Sequence, residues 1–332
     1  MVIIYLTNQV VWCSIVLMMS PKTLQEAIIY FGNLENCHDY MVARRFPNGV
    51  TCPTCGRDDV TFLAKQHKWQ CKSAHNKRQF SVKVGTIFED SPLGLDKWLT
   101  AIWMITNCKN GISSYEVHRA LGVTQKTAWF MVHRIRKAME MGSLEKVSGE
   151  VECDETFIGG KAKNMHKSKR EKVIQGRGSV GKTAVFGALE RKGRVLAKVI
   201  HSTNKETLHT EVKNSVKEGT TLFTDEWLSY RGLDSDYIHE IINHGVEYVQ
   251  GNVHTNGIEN FWSLLKRTLK GTYVSVEPFH LERYLAEQTF RFNERKGSDA
   301  DRFQKITSQI AGKRLTYAEL TGKTPSAHLS TC

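Results

Sequence analysis

The run His254-Thr255-Asn256-Gly257-Ile258-Glu259-Asn260-Phe261-Trp262-Ser263-Leu264-Leu265-Lys266-Arg267 constrains the fold more than any other stretch of the 332-residue chain. Ile258, Phe261, Trp262 and Leu265 recur at i, i+3, i+4 and i+7, the spacing of one buried helix face. Asn256 stands at the N-cap position, and Glu259 three residues on completes a capping-box pattern that lacks only the usual Ser or Thr. Glu259 and Lys266 lie two helical turns apart, so a carboxylate and a cation share a side of the helix. Upstream, 151–158 and 221–227 read as short β-rich runs with Asp154 and Asp225 at or near their ends. In α/β sheets, ligands gather outside the carboxyl ends of strands. Two strand acids and a later helix acid would suit hard divalent cations, Mg²⁺ or Mn²⁺, which prefer carboxylate oxygen to Cys or His. A pair of such ions clamps the attacking and leaving oxygens of an in-line displacement at phosphorus, so the implied reaction is phosphodiester cleavage or transfer. Taken singly, each acid reads as an ordinary turn, cap or surface residue.

The partner is suggested by charge. Lys and Arg number 46 against 34 Asp and Glu, a formal net charge of +12, and the pI near 9.3 points to a polyanion such as nucleic acid. Of eight cysteines only Cys52, Cys55 and Cys71 form a tight local pattern, which argues against a secreted disulfide framework and for a reducing cytoplasm. Cys52-Pro53-Thr54-Cys55-Gly56 is a C-x-x-C knuckle whose Gly56 permits the turn. Cys71 and His75 supply a second pair, with His67 as the competing imidazole. Three thiolates and one imidazole match a closed, structural Zn²⁺ site. The surrounding Lys65, Lys68, Lys72, Lys77 and Arg78 would offer positive charge to phosphates.

Farther along, Ser113 and Glu116 form a capping box, Gly122 breaks the helix they start, and Thr124 caps the next. The pattern predicts a helix-turn-helix over 93–141, with Gln125, Lys126, Thr127 and Arg134 of the second helix facing the major groove. Residues 22–48 read as one helix with a basic exit. Residues 2–19 are apolar but carry no Lys or Arg, unlike a signal peptide, and are interrupted by Thr7, Asn8 and Gln9, unlike a membrane span. We expect 1–18 to be an extension from an upstream start codon.

A boundary near Met141 opens the domain of the three acids. The stretch 161–182 is rich in Lys, Arg and Gly and reads either as a solvated loop or as a contact to the DNA backbone. Two strands in a hairpin, a helix over 207–216, the Asp225 strand and the 254–267 helix follow. A closing helix over 275–295 ends in Phe290-Arg291-Phe292-Asn293-Glu294-Arg295, with its aromatics on the sheet and Arg291 and Arg295 toward DNA. The expected organisation is therefore 20–48 helical, 49–92 zinc ribbon, 93–141 helix-turn-helix, 148–296 catalytic, and 297–332 a tail with one short helix over 303–310.

Asp154, Asp225 and Glu259, the last two 34 positions apart, with Lys266 seven after the Glu, resemble the DDE pattern of transposases and retroviral-type integrases. Asp154-Glu155-Thr156-Phe157-Ile158-Gly159-Gly160, the 254–262 phrase and 290–295 are similar to bacterial insertion-sequence transposases with an N-terminal zinc ribbon. The similarity covers roughly residues 20–300. It implies an α/β chain whose RNase H-like catalytic domain follows a zinc ribbon and a helix-turn-helix. It also implies two-metal strand cleavage and transfer at terminal inverted repeats, with Asp154, Asp225 and Glu259 as metal ligands and Lys266, with Arg267, on DNA. His254 and Asn256 would orient a metal, a water or the strand, and Asn256 is the rival third ligand. The implied partners are double-stranded DNA, as element ends and target, and further copies of the chain in the cytoplasm at the nucleoid, with neither a membrane nor a small-molecule substrate. Two rival functions keep part of this pattern, a nuclease of the same fold without strand transfer and a DNA-binding regulator with an inactive remainder.

Overall fold

A computed structural model of the chain describes residues 21–140, 145–160, 167, 181–225, 228–242 and 255–323. Residues 1–18, His254 and nearly all of the basic stretch 161–180 lie outside the described residues. The described residues fall into two units, one within 1–139 and 297–332 and the other within 140–296.

In the first unit, α1 (Leu24–Phe31) and α2 (Leu34–Arg45) replace the single helix expected over 22–48. The break lies at Gly32-Asn33, where the Asn33 side chain accepts from the Glu35 N–H at 2.8 Å and starts a new helix. The ribbon follows as an antiparallel sheet of β1 (Val60–Leu63), β2 (Lys68–Cys71) and β3 (Gln79–Ser81), with Val60 opposite Cys71 and Trp69 opposite Phe80. Then α3 (Leu95–Asn107) buries Trp98, Leu99, Ile102 and Trp103. Helix α4 (Ser114–Leu121) carries the expected Ser113–Glu116 capping box and stops at Gly122, φ 59°, a left-handed position glycine adopts without strain. Thr124 accepts from the Thr127 N–H at the start of α5 (Gln125–Met139).

The second unit has a five-stranded sheet: β4 (Glu150–Ile158), β5 (Thr183–Glu190), β6 (Val195–Ile200), β7 (Thr221–Asp225) and β8 (Ile238–Ile242), in the order β6-β5-β4-β7-β8. β4, β5 and β6 pair antiparallel, whereas β7 runs parallel to both β4 and β8. β8 has no counterpart in the sequence reading; it is short, and Ile238 and Ile241 are exposed at the sheet edge. Helix α6 (Lys205–Ser215) covers one face through Leu208 and Val212, which pack with Val151, Cys153, Phe186, Ala188 and Leu222. Helices α7 (Asn256–Thr268) and α8 (Leu281–Asn293) cover the other, where Ile258, Phe261, Trp262 and Leu265 join Val185, Leu189, Leu285 and Phe292. The period-2 alternation of β4 thus sends Val151 and Cys153 to the α6 face and Glu152 and Asp154 to the α7 face. Near the end of α8, Arg291 does not meet the expected phosphate-facing role, whereas Arg295 just past it is exposed. Arg291 is buried against Glu287, and Arg295 donates to the Gly193 and Phe292 carbonyls.

From Gly297 the chain returns to the first unit. Helix α9 (Asp299–Ser308) inserts Phe303, fully buried, against Phe31, Tyr40 and Trp103, with ring centroids 5.6, 5.8 and 4.9 Å away. Helix α10 (Tyr317–Leu320) follows. The expected tail is therefore part of a core. No described helix is long and apolar enough to cross a membrane.

Candidate functional site

Strand β4 carries Asp154 onto the α7 face, and Leu222 on the α6 side leaves Phe223 and Asp225 of β7 facing the same way as Asp154. The parallel pairing sets Glu152 against Phe223, and continuing it two residues brings Asp154 level with Asp225. Glu259 projects from the first turn of α7. The N-cap is Thr255, one residue before the expected Asn256, and its hydroxyl lies 3.4 Å from Glu259 Oε1. Asp154, Glu155, Thr156, Glu259, Trp262, Ser263 and Lys266 line one open cleft. Asn256 is exposed at the first helical position and outside that lining.

Both oxygens of Asp154 are oriented. Oδ1 accepts from the Glu155 N–H at 2.8 Å and Oδ2 from the Trp262 indole N–H at 3.0 Å. The indole reaches it because Gly187 stands opposite Asp154 in β5, where a Cβ would lie 2.7 Å from the Trp262 ring. Burial, followed by the negative charges of Asp225 and Glu259, pushes the Asp154 carboxyl up to about 6 against those two hydrogen bonds. Burial also lifts its neighbour Glu155 to about 8, although Tyr230 donates a hydrogen bond to it. The sequence reading passed over Glu155, Gly187 and Tyr230; only the adjacency of Glu155 to Asp154 was visible there.

Hard carboxylate oxygens that repel one another are the donor chemistry of Mg²⁺ or Mn²⁺. The ligand atoms of one octahedral Mg²⁺ lie within about 4.2 Å of one another. Among the described residues only Cys52, Cys55, Cys71 and His75 bring three or more metal-binding atoms within 4.8 Å, so the three acids are spread wider than one shared ion requires.

The thiolate–imidazole set fits Zn²⁺ closely. Tetrahedral Zn–S bonds of about 2.3 Å put sulfurs about 3.8 Å apart, and Cys55 Sγ lies 3.6 Å from Cys71 Sγ, with Cys52 Sγ 3.5 Å from His75 Nε2. His75 Nδ1 donates to the Asn76 carbonyl at 2.6 Å, which turns Nε2 toward the sulfurs. The knuckle closes through the Gly56 N–H to Cys52 carbonyl bond of 2.8 Å, with Gly56 at φ 75°. His67, the competing imidazole, instead lies tilted against the His38 ring, 5.1 Å between centroids, and faces Glu35. Lys72 and Arg78 are tied to the ribbon itself, to Asp59 and to the Cys71 carbonyl, while Lys65 and Lys68 are exposed.

On α5, Lys126 is exposed with its ammonium 4.9 Å from the Tyr317 ring, Gln125 bonds Ser114, and the Thr127 hydroxyl bonds Thr124. Arg134 corrects the expectation of a groove-facing side chain. It is 4% exposed, lies over Phe130, and donates to the Leu315, Ile87 and Glu89 carbonyls, so it ties segments of its unit together. Arg267 is exposed at the C-terminal end of α7.

Residues 146–293 match the ISXO2-like transposase domain, and residues 32–76 match the transposase zinc-ribbon domain. The chain is thus a protein of the transposase class. Within it, the chain belongs to the ISXO2-like family. An uncharacterized transposase-like protein of Haemophilus influenzae is 34% identical over 103 residues, 31% of this chain and 83% of the relative. An uncharacterized protein in transposable element ISH50 of Halobacterium salinarum is 29% identical over 239 residues, 68% of this chain and 79% of the relative.

Proposed function

We propose that the chain is a DDE transposase that binds the terminal inverted repeats of its own element and performs metal-dependent strand cleavage and strand transfer. Asp154, Asp225 and Glu259 would hold Mg²⁺ or Mn²⁺, and bound ions would supply Lewis-acid activation of the oxygens that attack and leave phosphorus. The observation that carries this reading is the placing of Asp154, which lies largely buried beside Asp225 and shares one cleft with Glu259 and Lys266. The burial and the two neighbouring acids together raise its carboxyl, an arrangement that calls for added positive charge. The Glu155 N–H and the Trp262 indole hold that carboxylate in one orientation, so little reorganisation remains when the site is loaded. Lys266, in the same cleft, would meet a DNA phosphate. Catalysis would then rest on positioning and charge stabilisation, without a covalent protein intermediate.

Support for an RNase H-like reading of the second unit comes from its strand order, three antiparallel strands and then two parallel ones, with acids on the two central neighbours β4 and β7. The α4–α5 pair, read as a helix-turn-helix, would present Gln125, Lys126 and Thr127 to the major groove, while Lys65 and Lys68 of the ribbon meet the backbone. Acting on two element ends, the chain would work as a homo-oligomer on double-stranded DNA in the cytoplasm, at the nucleoid.

The test is cleavage and joining of labelled DNA that carries the ends of the element, in Mg²⁺, by wild type, Asp154→Asn and Glu259→Gln. We expect joined product from wild type only. Cutting without joining would replace the proposal with a nuclease, and specific binding without cutting would replace it with a regulator.

A further inference from the structure

The three acids sit on three separate elements, and one buried ion pair touches all three. Glu152 on β4 is 1% exposed. Its Oε2 accepts the Ile258 N–H at the start of α7 at 2.9 Å, and its Oε1 accepts from Arg191 Nε at 3.1 Å. The Arg191 guanidinium lies 3.8 Å from the centre of the Phe223 ring on β7. Glu152 precedes Asp154 by two residues on the same strand face, Phe223 precedes Asp225 by two, and Ile258 is the residue before Glu259. Gly257 makes the close approach possible, since a Cβ there would lie 2.6 Å from Leu189 and 2.8 Å from Glu152 Oε2. An anion at a helix N-terminus satisfies an N–H that the helix leaves unpaired and is favoured by the helix dipole.

We propose that Glu152 and Arg191 form a positioning node that sets the spacing of Asp154, Asp225 and Glu259 by tying β4, β7 and the N-terminus of α7 to one buried ion pair. The assignment rests on the three-acid reading of the site. Neither residue lines the cleft, so neither is catalytic; both act through the backbone that carries the acids. Glu152 and Arg191 instead line a second pocket, with Glu150, Lys192, Gly193 and Gly257, where Glu152 is buried and Arg191 is 12% exposed.

The test uses the full-length, zinc-loaded protein and two readouts, Mn²⁺ binding by calorimetry and amide hydrogen exchange over residues 257–260. Glu152→Gln keeps an acceptor for the Ile258 N–H and removes the charge that holds Arg191. We expect it to stay folded, to bind Mn²⁺ at least 10-fold more weakly and to exchange the first turn of α7 at least 10-fold faster. Arg191→Lys, which keeps the charge but loses the planar stack on Phe223, should fall between it and wild type, and it serves as the readout should Glu152→Gln not fold. Mn²⁺ binding and exchange equal to wild type in these variants would overturn the node alone. Absence of Mn²⁺ binding by wild type would overturn the three-acid reading and the node with it.

Discussion

At Asp154, a side chain's ordinary chemistry is changed by where its strand puts it. A carboxyl raised to about 6 holds its proton more tightly in the folded chain than in the unfolded one, where it titrates near 3.9. Between about pH 4 and 6 the folded state therefore binds more protons, stability falls as pH rises through that window, and the loss persists above it. The size is at most about 3 kcal/mol for a shift of about two units. We expect zinc-loaded Asp154→Asn to melt several degrees above wild type at pH 7 without Mg²⁺ or Mn²⁺, the gap closing at pH 4 and narrowing when Mg²⁺ stabilises wild type; thermal melts at the two pH values check it. Gly187→Ala should act on the same carboxyl by a different route. The added methyl displaces the Trp262 ring and breaks its bond to Asp154, so strand cleavage should drop at least 10-fold with secondary structure retained, while a wild-type rate would deny Trp262 this orienting role. Neither effect was visible from the sequence, because the cross-strand register that sets Gly187 against Asp154 depends on residues 33 positions apart in the chain.

Apolar stripes and local caps within helices were the best-read feature of the sequence, while helix orientation and the break of 22–48 into two helices were not legible. The apolar stripe of α7 was legible residue by residue, and Ile258, Phe261, Trp262 and Leu265 are all buried. The Ser113–Glu116 box and the Gly122 stop were legible as well, because caps depend on residues within one turn. Gly122→Ala should cost about 1 kcal/mol through its left-handed backbone, seen as a lower denaturation midpoint. Arg134 was misassigned because periodicity tells which residues share a face but not which face meets the core. Arg134→Ala should therefore destabilise the first unit by about 2 to 4 kcal/mol, through three backbone carbonyls that lose a charged donor. Changed sequence preference of a variant that remains stable would point back to DNA.

For the molecule as a whole, the first unit closes only with the C-terminal segment. Phe303 is completely buried among Phe31, Tyr40 and Trp103, and Thr307 bonds the Tyr40 hydroxyl. Phe303→Ala should cost about 3 to 5 kcal/mol, and a chain ending at Lys296 should lose the cooperative unfolding of the first unit while the second, built from residues 140–296, still melts as a unit. Calorimetry resolves the two transitions. Zinc removal acts on the first unit as well. A small three-stranded ribbon has little core of its own, so its folding free energy comes largely from the metal. Chelation should release one equivalent of zinc and raise proteolysis within 49–80, and intact protection there would argue against the four-ligand site.

The sequence by itself determined what is local: the Cys52, Cys55, Cys71 and His75 cluster and its turn, the Ser113–Glu116 capping box with its Gly122 stop, and the buried stripe of α7. These follow from spacings within a few turns of chain, where backbone geometry leaves few choices. Only the tertiary structure decided the rest. It brought Asp154, Asp225 and Glu259 onto one face, buried Arg134 and Arg291, folded 297–323 into a core, and closed Glu152 and Arg191 over the start of α7. Each of these depends on pairings between residues far apart in the chain, and the direction of a side chain there is set by what packs against it.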